Sequence, residues 1–185
     1  MGLHCSPTFR FIRRGKAWNG FASTSTAAIF CHGLKAECGH ARLDFAKFIA
    51  WLVGNRHLVR TYYHTAAVKD DPERVKSQQR FLDRLGRIPY LEIKLGRLEP
   101  RGNTYIEKGI DVAIAVDMLS MAVKNIYDTA ILVSCDGDYV KAVDAVKDTG
   151  RHVEVACFAR AYRLRQRADK IIHWDTAPLA GLWLT

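Results

Sequence analysis

Four apolar residues, Ala130-Ile131-Leu132-Val133, run without a break into Ser134-Cys135-Asp136-Gly137-Asp138-Tyr139. A short apolar run bounded by turn residues marks a strand buried on both faces, which is how strands in the middle of a parallel sheet read. Helical spacing resumes at once, and the pattern predicts a helix over Tyr139–Asp148 stopped at Gly150. The same alternation covers the chain from about Gly33 onward. Leu43, Phe45, Phe48, Ile49 and Leu52 lie at helical spacing, with Asp44 in the first turn and Gly54 as the stop. His57–Tyr63 and Pro89–Leu95 are β-rich and flank a charged amphipathic helix over Asp71–Leu85, which Gly86 ends. Gly109–Val123 is long and apolar enough for a helix buried on most sides. Thr129–Val133 and His152–Cys157 read as strands, Tyr162–Ala168 as a short basic helix, and Ile171-Ile172 as an edge strand. Strands separated by helices mean βαβ units, so the expected class is α/β with a mostly parallel central sheet. Ligands of such sheets bind outside the carboxyl ends of the strands.

Composition narrows the class of function. At 185 residues the chain is the size of one domain, and 49% apolar with 25% charged residues excludes disorder throughout. Its apolar runs are too short to span a bilayer, so no membrane role is expected. Cys5, Cys31, Cys38, Cys135 and Cys157 show no C-x-x-C spacing, which argues against a zinc finger or a disulfide framework and makes a cytoplasmic location the default. A net charge of +9 favours a polyanionic partner, nucleic acid first; a solvated basic surface is the bland alternative.

Asp136 and Asp138 stand at the carboxyl end of a strand, where a site belongs. Two carboxylates this close repel, and water, a helix N-terminus or a divalent cation must offset that repulsion. Hard oxygen ligands left partly hydrated suit Mg²⁺ or Mn²⁺. Asp-Gly-Asp also fits a plain turn with a helix N-cap. The twelve-residue calcium loop is absent, and a phosphohydrolase D-x-D nucleophile would follow the first strand, not a late one. A second carboxylate, Asp111, begins the apolar helix, where its charge complements the dipole and a helix cap explains it equally well. Asp117 lies inside the apolar run. A carboxylate there is paired, on a polar stripe, or functional, and it ranks as support together with Ser134.

Lys108-Gly109-Ile110-Asp111-Val112, then Asp117-Met118-Leu119, then Ile131-Leu132-Val133-Ser134-x-Asp136-Gly137-Asp138 resemble the NYN domain, the LabA-like branch of the PIN-like metal-dependent nucleases. The resemblance runs from about Gly33 to Asp175. It implies a Rossmann-like three-layer sandwich whose clustered carboxylates hold Mg²⁺ or Mn²⁺ and hydrolyse RNA phosphodiesters, with no small-molecule cofactor. Asp111, Asp136 and Asp138 occupy the motif's metal-ligand positions, and Lys108 matches the family lysine beside the site. Cys135 replaces a usual glycine and Lys141 stands where proline is common. Two metals about 4 Å apart can activate a water and stabilise the leaving oxygen. For the RNA backbone the late cationic cluster Arg160, Arg163, Arg165 and Arg167 offers phosphate contacts, and Tyr62 or Tyr63 offers a stacking face; solvated helix and core packing are the alternatives. A homo-oligomer is compatible with the sequence. So is a catalytically degenerate RNA-binding or regulatory module on the same fold.

One part of that pattern is missing. The family opens on a strand ending in an I-D-G-x-N-like motif whose Asp is a metal ligand. Here Ala22-Ser23-Thr24-Ser25-Thr26-Ala27-Ala28-Ile29-Phe30 stands in its place. Residues 1–31 also differ in kind: Arg10, Arg13, Arg14 and Lys16 have no acidic companion, and the remaining 24 basic and 19 acidic residues leave only +5. Met1-Gly2-Leu3-His4-Cys5-Ser6 fits a loose myristoylation pattern, and an Arg-rich, acid-free leader also resembles a transit peptide. The codons allow a third explanation. Ser23–Phe30 can be written TCG ACA TCG ACG GCA GCA ATT TTT; read one base earlier, behind a G, this gives Val-Asp-Ile-Asp-Gly-Ser-Asn-Phe. The expectation is an out-of-frame or poorly ordered segment over 1–31, a domain over 32–178 and a tail over 179–185. The chain as written should then lack its native first strand and one metal ligand, with weak stability and little or no hydrolysis, although Ser23–Thr26 could still form a poor strand.

Overall fold

A computed structural model describes residues 25–30, 43–69, 71–101, 104–157, 161–173 and 181–182. Seven strands form one sheet: β1 (Ser25–Phe30), β2 (His57–Ala66), β3 (Leu91–Arg101), β4 (Thr104–Lys108), β5 (Thr129–Val133), β6 (His152–Cys157) and β7 (Lys170–His173). Their order across the sheet is β4-β3-β2-β1-β5-β6-β7. All neighbours are parallel except β3 and β4, which pair antiparallel as a hairpin. Among the described residues five helices accompany them: α1 (Phe45–Val53), α2 (Pro72–Leu85), α3 (Ile110–Val123), α4 (Val140–Asp148) and α5 (Tyr162–Arg165).

The sheet separates two cores, as a three-layer sandwich requires. On one face α3 and α4 bury Ile114, Met118, Val143 and Val146 against Ala130, Leu132, Val153 and Val155. On the other, α1 buries Phe48, Ile49 and Leu52 against Ile131, Val133 and Ala156. Strand alternation explains the division, because Ala130 and Leu132 point one way and Ile131 and Val133 the other. All five residues of β5 are buried, as a central parallel strand demands. Tyr127, fully buried, donates its hydroxyl to the Met118 carbonyl at 2.7 Å, and burial raises its pKa.

Local chemistry sets the helix ends. Asp44 caps α1 by accepting from the Lys47 N–H, and Gly54, at φ 58°, ends it. Asp71 caps α2 ahead of Pro72. The helix expected from Tyr139 starts instead with a 3₁₀ turn over Gly137–Tyr139, and α5 stops at Arg165 rather than Ala168. The strand expected to end at Leu95 continues to Arg101 and pairs antiparallel with β4, an edge arrangement that tolerates Gly96 and Pro100.

The segment expected to form a poor strand at best is a full strand of the sheet. Ser25–Phe30 forms β1 in the central slot, paired with β2 on one side and β5 on the other. A slot between two buried strands rewards any extended segment that completes both hydrogen-bond ladders, and that outweighs the modest β-propensity of Ser-Thr-Ala-Ala-Ile-Phe. In this register Thr26 lies opposite Thr129 and Phe30 opposite Val133. The neighbouring frame would write an aspartate at 26, the second residue of β1, toward its amino end and not its carboxyl end.

At that amino end Glu154, buried at 5% exposure, takes the Arg56 guanidinium at 2.9 Å and the Lys170 ammonium at 3.5 Å. Among the described residues no helix is long and apolar enough to cross a membrane.

Candidate metal and RNA site

The chain leaves β5 at Val133 into Ser134, which is buried and whose Oγ accepts the Asp136 N–H at 3.1 Å. Asp136 then accepts the Asp138 N–H at 2.9 Å through Oδ1, so the first carboxylate caps the turn that carries the second. Both aspartates are exposed. The next residue, Tyr139, is buried, and its hydroxyl donates to Oδ1 of Asp111 in the first turn of α3. That bond joins two segments 28 residues apart, the first turn of α3 and the residue that follows the Asp136-Gly137-Asp138 turn. Tyr139 is the site residue that sequence reasoning missed; its signal was its place directly after the acidic pair.

Gly137 has a second neighbour. A Cβ there would stand 3.0 Å from Cδ of Arg163, 3.5 Å from its Cβ and 3.7 Å from its Cγ. The stem of Arg163 thus lies across the acidic turn.

The other predicted residues separate. Asp117, further along α3, is met by the Lys94 ammonium at 2.9 Å and lies 3.5 Å from Nε2 of His64. His64 is 2% exposed, and that nitrogen has no hydrogen-bond partner. Burial lowers the His64 pKa, with the Asp117 charge working against it. Burial pulls Lys94 the same way, but the hydrogen bond and charge of Asp117 carry it above its ordinary value. Lys108 does not turn to the acidic group; its ammonium pairs with Glu99 across the β3–β4 hairpin at 2.8 Å. Tyr63 is 4% exposed and meets Phe45 and Phe81 edge-on, so a base cannot stack on it. Tyr62 is half-buried, with Lys94 5.0 Å from its ring centroid. Arg165 and Arg167 are exposed, and Arg167 reaches Asp144 at 3.7 Å. Arg160 lies outside the described residues.

The donor set is all oxygen, which suits Mg²⁺ or Mn²⁺. Among the described residues no three His, Cys, Asp or Glu side chains stand close enough to form a protein cage. An octahedral ion that keeps several waters and one or two carboxylates fits what is present. Asp111 and the Asp136-Gly137-Asp138 turn are the side chains available to it.

A three-layer α/β sheet with Asp136 and Asp138 just beyond the carboxyl end of β5 is consistent with a PIN-like fold. The chain belongs to the NYN domain family, whose model matches residues 24–175. Among solved structures it is similar to VPA0982, a protein of unknown function from Vibrio parahaemolyticus RIMD 2210633. That match has a TM-score of 0.68 and 21% identity, covering 89% of this chain and 99% of that one. At that identity the match speaks for the fold alone. A match to Phytolacca americana UGT2 has a TM-score of 0.41 and 12% identity over 75% of this chain and 31% of that one. No curated relative matches the chain.

Proposed function

We propose that this domain is a divalent-metal-dependent ribonuclease of the NYN type, hydrolysing RNA phosphodiesters with Asp111 and the Asp136-Gly137-Asp138 turn as its acidic residues. The observation that carries the proposal is the Tyr139–Asp111 hydrogen bond, which brings the start of α3 to the acidic turn beyond β5. Bound there, Mg²⁺ or Mn²⁺ would polarise a phosphoryl oxygen and lower the pKa of a water. The protein's own part is positional. Ser134 and the Asp138 N–H fix the turn, and Tyr139 holds one oxygen of Asp111. The excess of basic residues draws the RNA backbone.

The test is cleavage of a labelled single-stranded RNA in Mg²⁺ or Mn²⁺, with and without EDTA. Metal-dependent cleavage that disappears in Asp136→Asn supports the proposal; metal-independent cleavage, or an unchanged Asp136→Asn variant, defeats it. Cytoplasmic RNA is the substrate pool this reading favours.

A second reading, RNA binding with little hydrolysis, has its own support: β1 fills the central slot with no Asp or Glu in its sequence. Its test is the variant Ser23→Val, Thr24→Asp, Ser25→Ile, Thr26→Asp, Ala27→Gly, Ala28→Ser, Ile29→Asn. To bring an aspartate level with Val133 the new strand must slide by up to the four residues that separate Thr26 from Phe30. A tenfold or larger gain in rate would show that the site lacks only this ligand, as the out-of-frame hypothesis requires. The nucleotide sequence across codons 1–35 tests that hypothesis directly.

A further inference from the structure

We propose that Arg163 is the residue that grips an RNA phosphate at the acidic turn, and that residue 137 is a glycine to let it do so. This rests on the reading of that turn as the RNA site.

Three observations meet here. The Arg163 stem crosses Gly137 so closely that a Cβ on residue 137 would lie 3.0 Å from Cδ. Arg163 is exposed, and among the described residues its guanidinium has no hydrogen-bond or ion-pair partner. This is so although Asp136 and Asp138 flank the glycine over which the stem lies. Its neighbours on the same segment differ, since Arg167 is directed to Asp144 at 3.7 Å and Arg165 has contacts of its own.

A cation held beside carboxylates without pairing to them remains available to an incoming anion. A phosphodiester that approaches a metal-binding acidic group needs such a cation, because the carboxylates themselves repel it. Guanidinium suits the task, as its planar fork matches two phosphate oxygens at once. Packing the stem on the turn fixes where that fork stands, so less freedom is lost when the phosphate arrives. Gly137 is not in the left-handed region, so alanine is allowed there by the backbone and would act only through the Arg163 stem.

The experiment is fluorescence anisotropy of a labelled single-stranded 12-mer RNA in EDTA, from 50 to 300 mM salt. It compares the whole chain with Arg163→Ala, Arg163→Lys, Gly137→Ala and, as a control, Arg80→Ala on the exposed surface of α2. Circular dichroism accompanies each variant. Arg163→Ala should weaken binding about fivefold and lower the slope of log affinity against log salt by about 0.7, the loss of one phosphate contact on a single strand. Arg163→Lys should keep the slope and lose about half of that effect on a logarithmic scale. Gly137→Ala should weaken binding about twofold with the slope unchanged, and Arg80→Ala should match the parent. If Arg163→Ala binds RNA with the parent's affinity and slope, the proposal is wrong while the RNA site stands. If the parent binds no RNA at all, the functional reading itself falls, and Arg163 with it.

Discussion

Helix α3 presents two aspartates to its neighbours, and the two are used in opposite ways. Asp117 faces groups that the protein itself supplies, the Lys94 ammonium at 2.9 Å and the buried His64 imidazole at 3.5 Å. Asp111, six residues earlier, meets a neutral hydroxyl, that of Tyr139. A carboxylate already neutralised by a lysine has little to offer a metal ion. A carboxylate oriented by a phenol receives no countercharge from that partner and has a second oxygen beyond the one bonded. Both sit on one apolar helix; the sequence ranked Asp111 as a ligand and Asp117 as support, and their partners differ accordingly.

The largest effect that would sharpen this contrast is on catalysis. Asp111→Asn and Asp136→Asn should each lower metal-dependent RNA cleavage at least 100-fold, about 2.7 kcal/mol of transition-state stabilisation, while the unfolding free energy changes by less than about 1 kcal/mol. Asp117→Asn should show the reverse pattern. It leaves Lys94 and buried His64 without their carboxylate, and urea unfolding should report a loss of about 1–2 kcal/mol with cleavage reduced only a few-fold. An Asp117→Asn protein of normal stability and no activity would erase the distinction.

The middle of α3 should also respond to acid. Burial lowers the His64 pKa in the folded chain, so the unfolded chain takes up the proton first as pH falls. Stability is therefore full above the unfolded histidine value, about 6.5, and declines below it toward the folded value, by no more than about 1.4 kcal/mol per pH unit. Denaturation midpoints between pH 7.5 and 5 should reveal this slope, and His64→Gln should flatten it. The smallest expected effect belongs to Tyr139→Phe, which frees Asp111 from its hydroxyl. Stability should drop about 1 kcal/mol, and the Mn²⁺ concentration giving half-maximal cleavage should rise a few-fold; no change in that midpoint would mean Tyr139 does not position Asp111.

What could be read from the sequence was whatever is encoded locally. The β5 strand, its acidic turn and helix α4 follow one another within 20 residues, and hydrophobic run, turn chemistry and helical spacing agree there. Asp111 was legible for the same reason, as a charge at the head of an apolar helix. The contacts that give these residues their roles were not. His64 meets Lys94 because β2 and β3 pair in a register that sets them opposite each other, and no local pattern states that register. Tyr63 looked as available as Tyr62, but one step along a strand turns a side chain to the other face, and Tyr63 falls among Phe45 and Phe81. Lys108 was assigned to the site on its motif and pairs with Glu99 across the β3–β4 hairpin, which lies beyond the strand expected to end at Leu95. The central strand β1 was hidden most completely, because its place is decided by β2 and β5 and hardly at all by its own residues.

That placement has a consequence for how the chain is made. During synthesis β1 emerges first, and β2 can pair with it soon after, but β5 begins at Thr129, about 100 residues later. At about 5–20 residues per second the second edge of β1 stays bare for about 5–20 s on the ribosome. The nascent protein must shield an open strand edge through that interval, and the acidic turn, which lies just beyond β5, cannot form on a completed sheet until the interval closes.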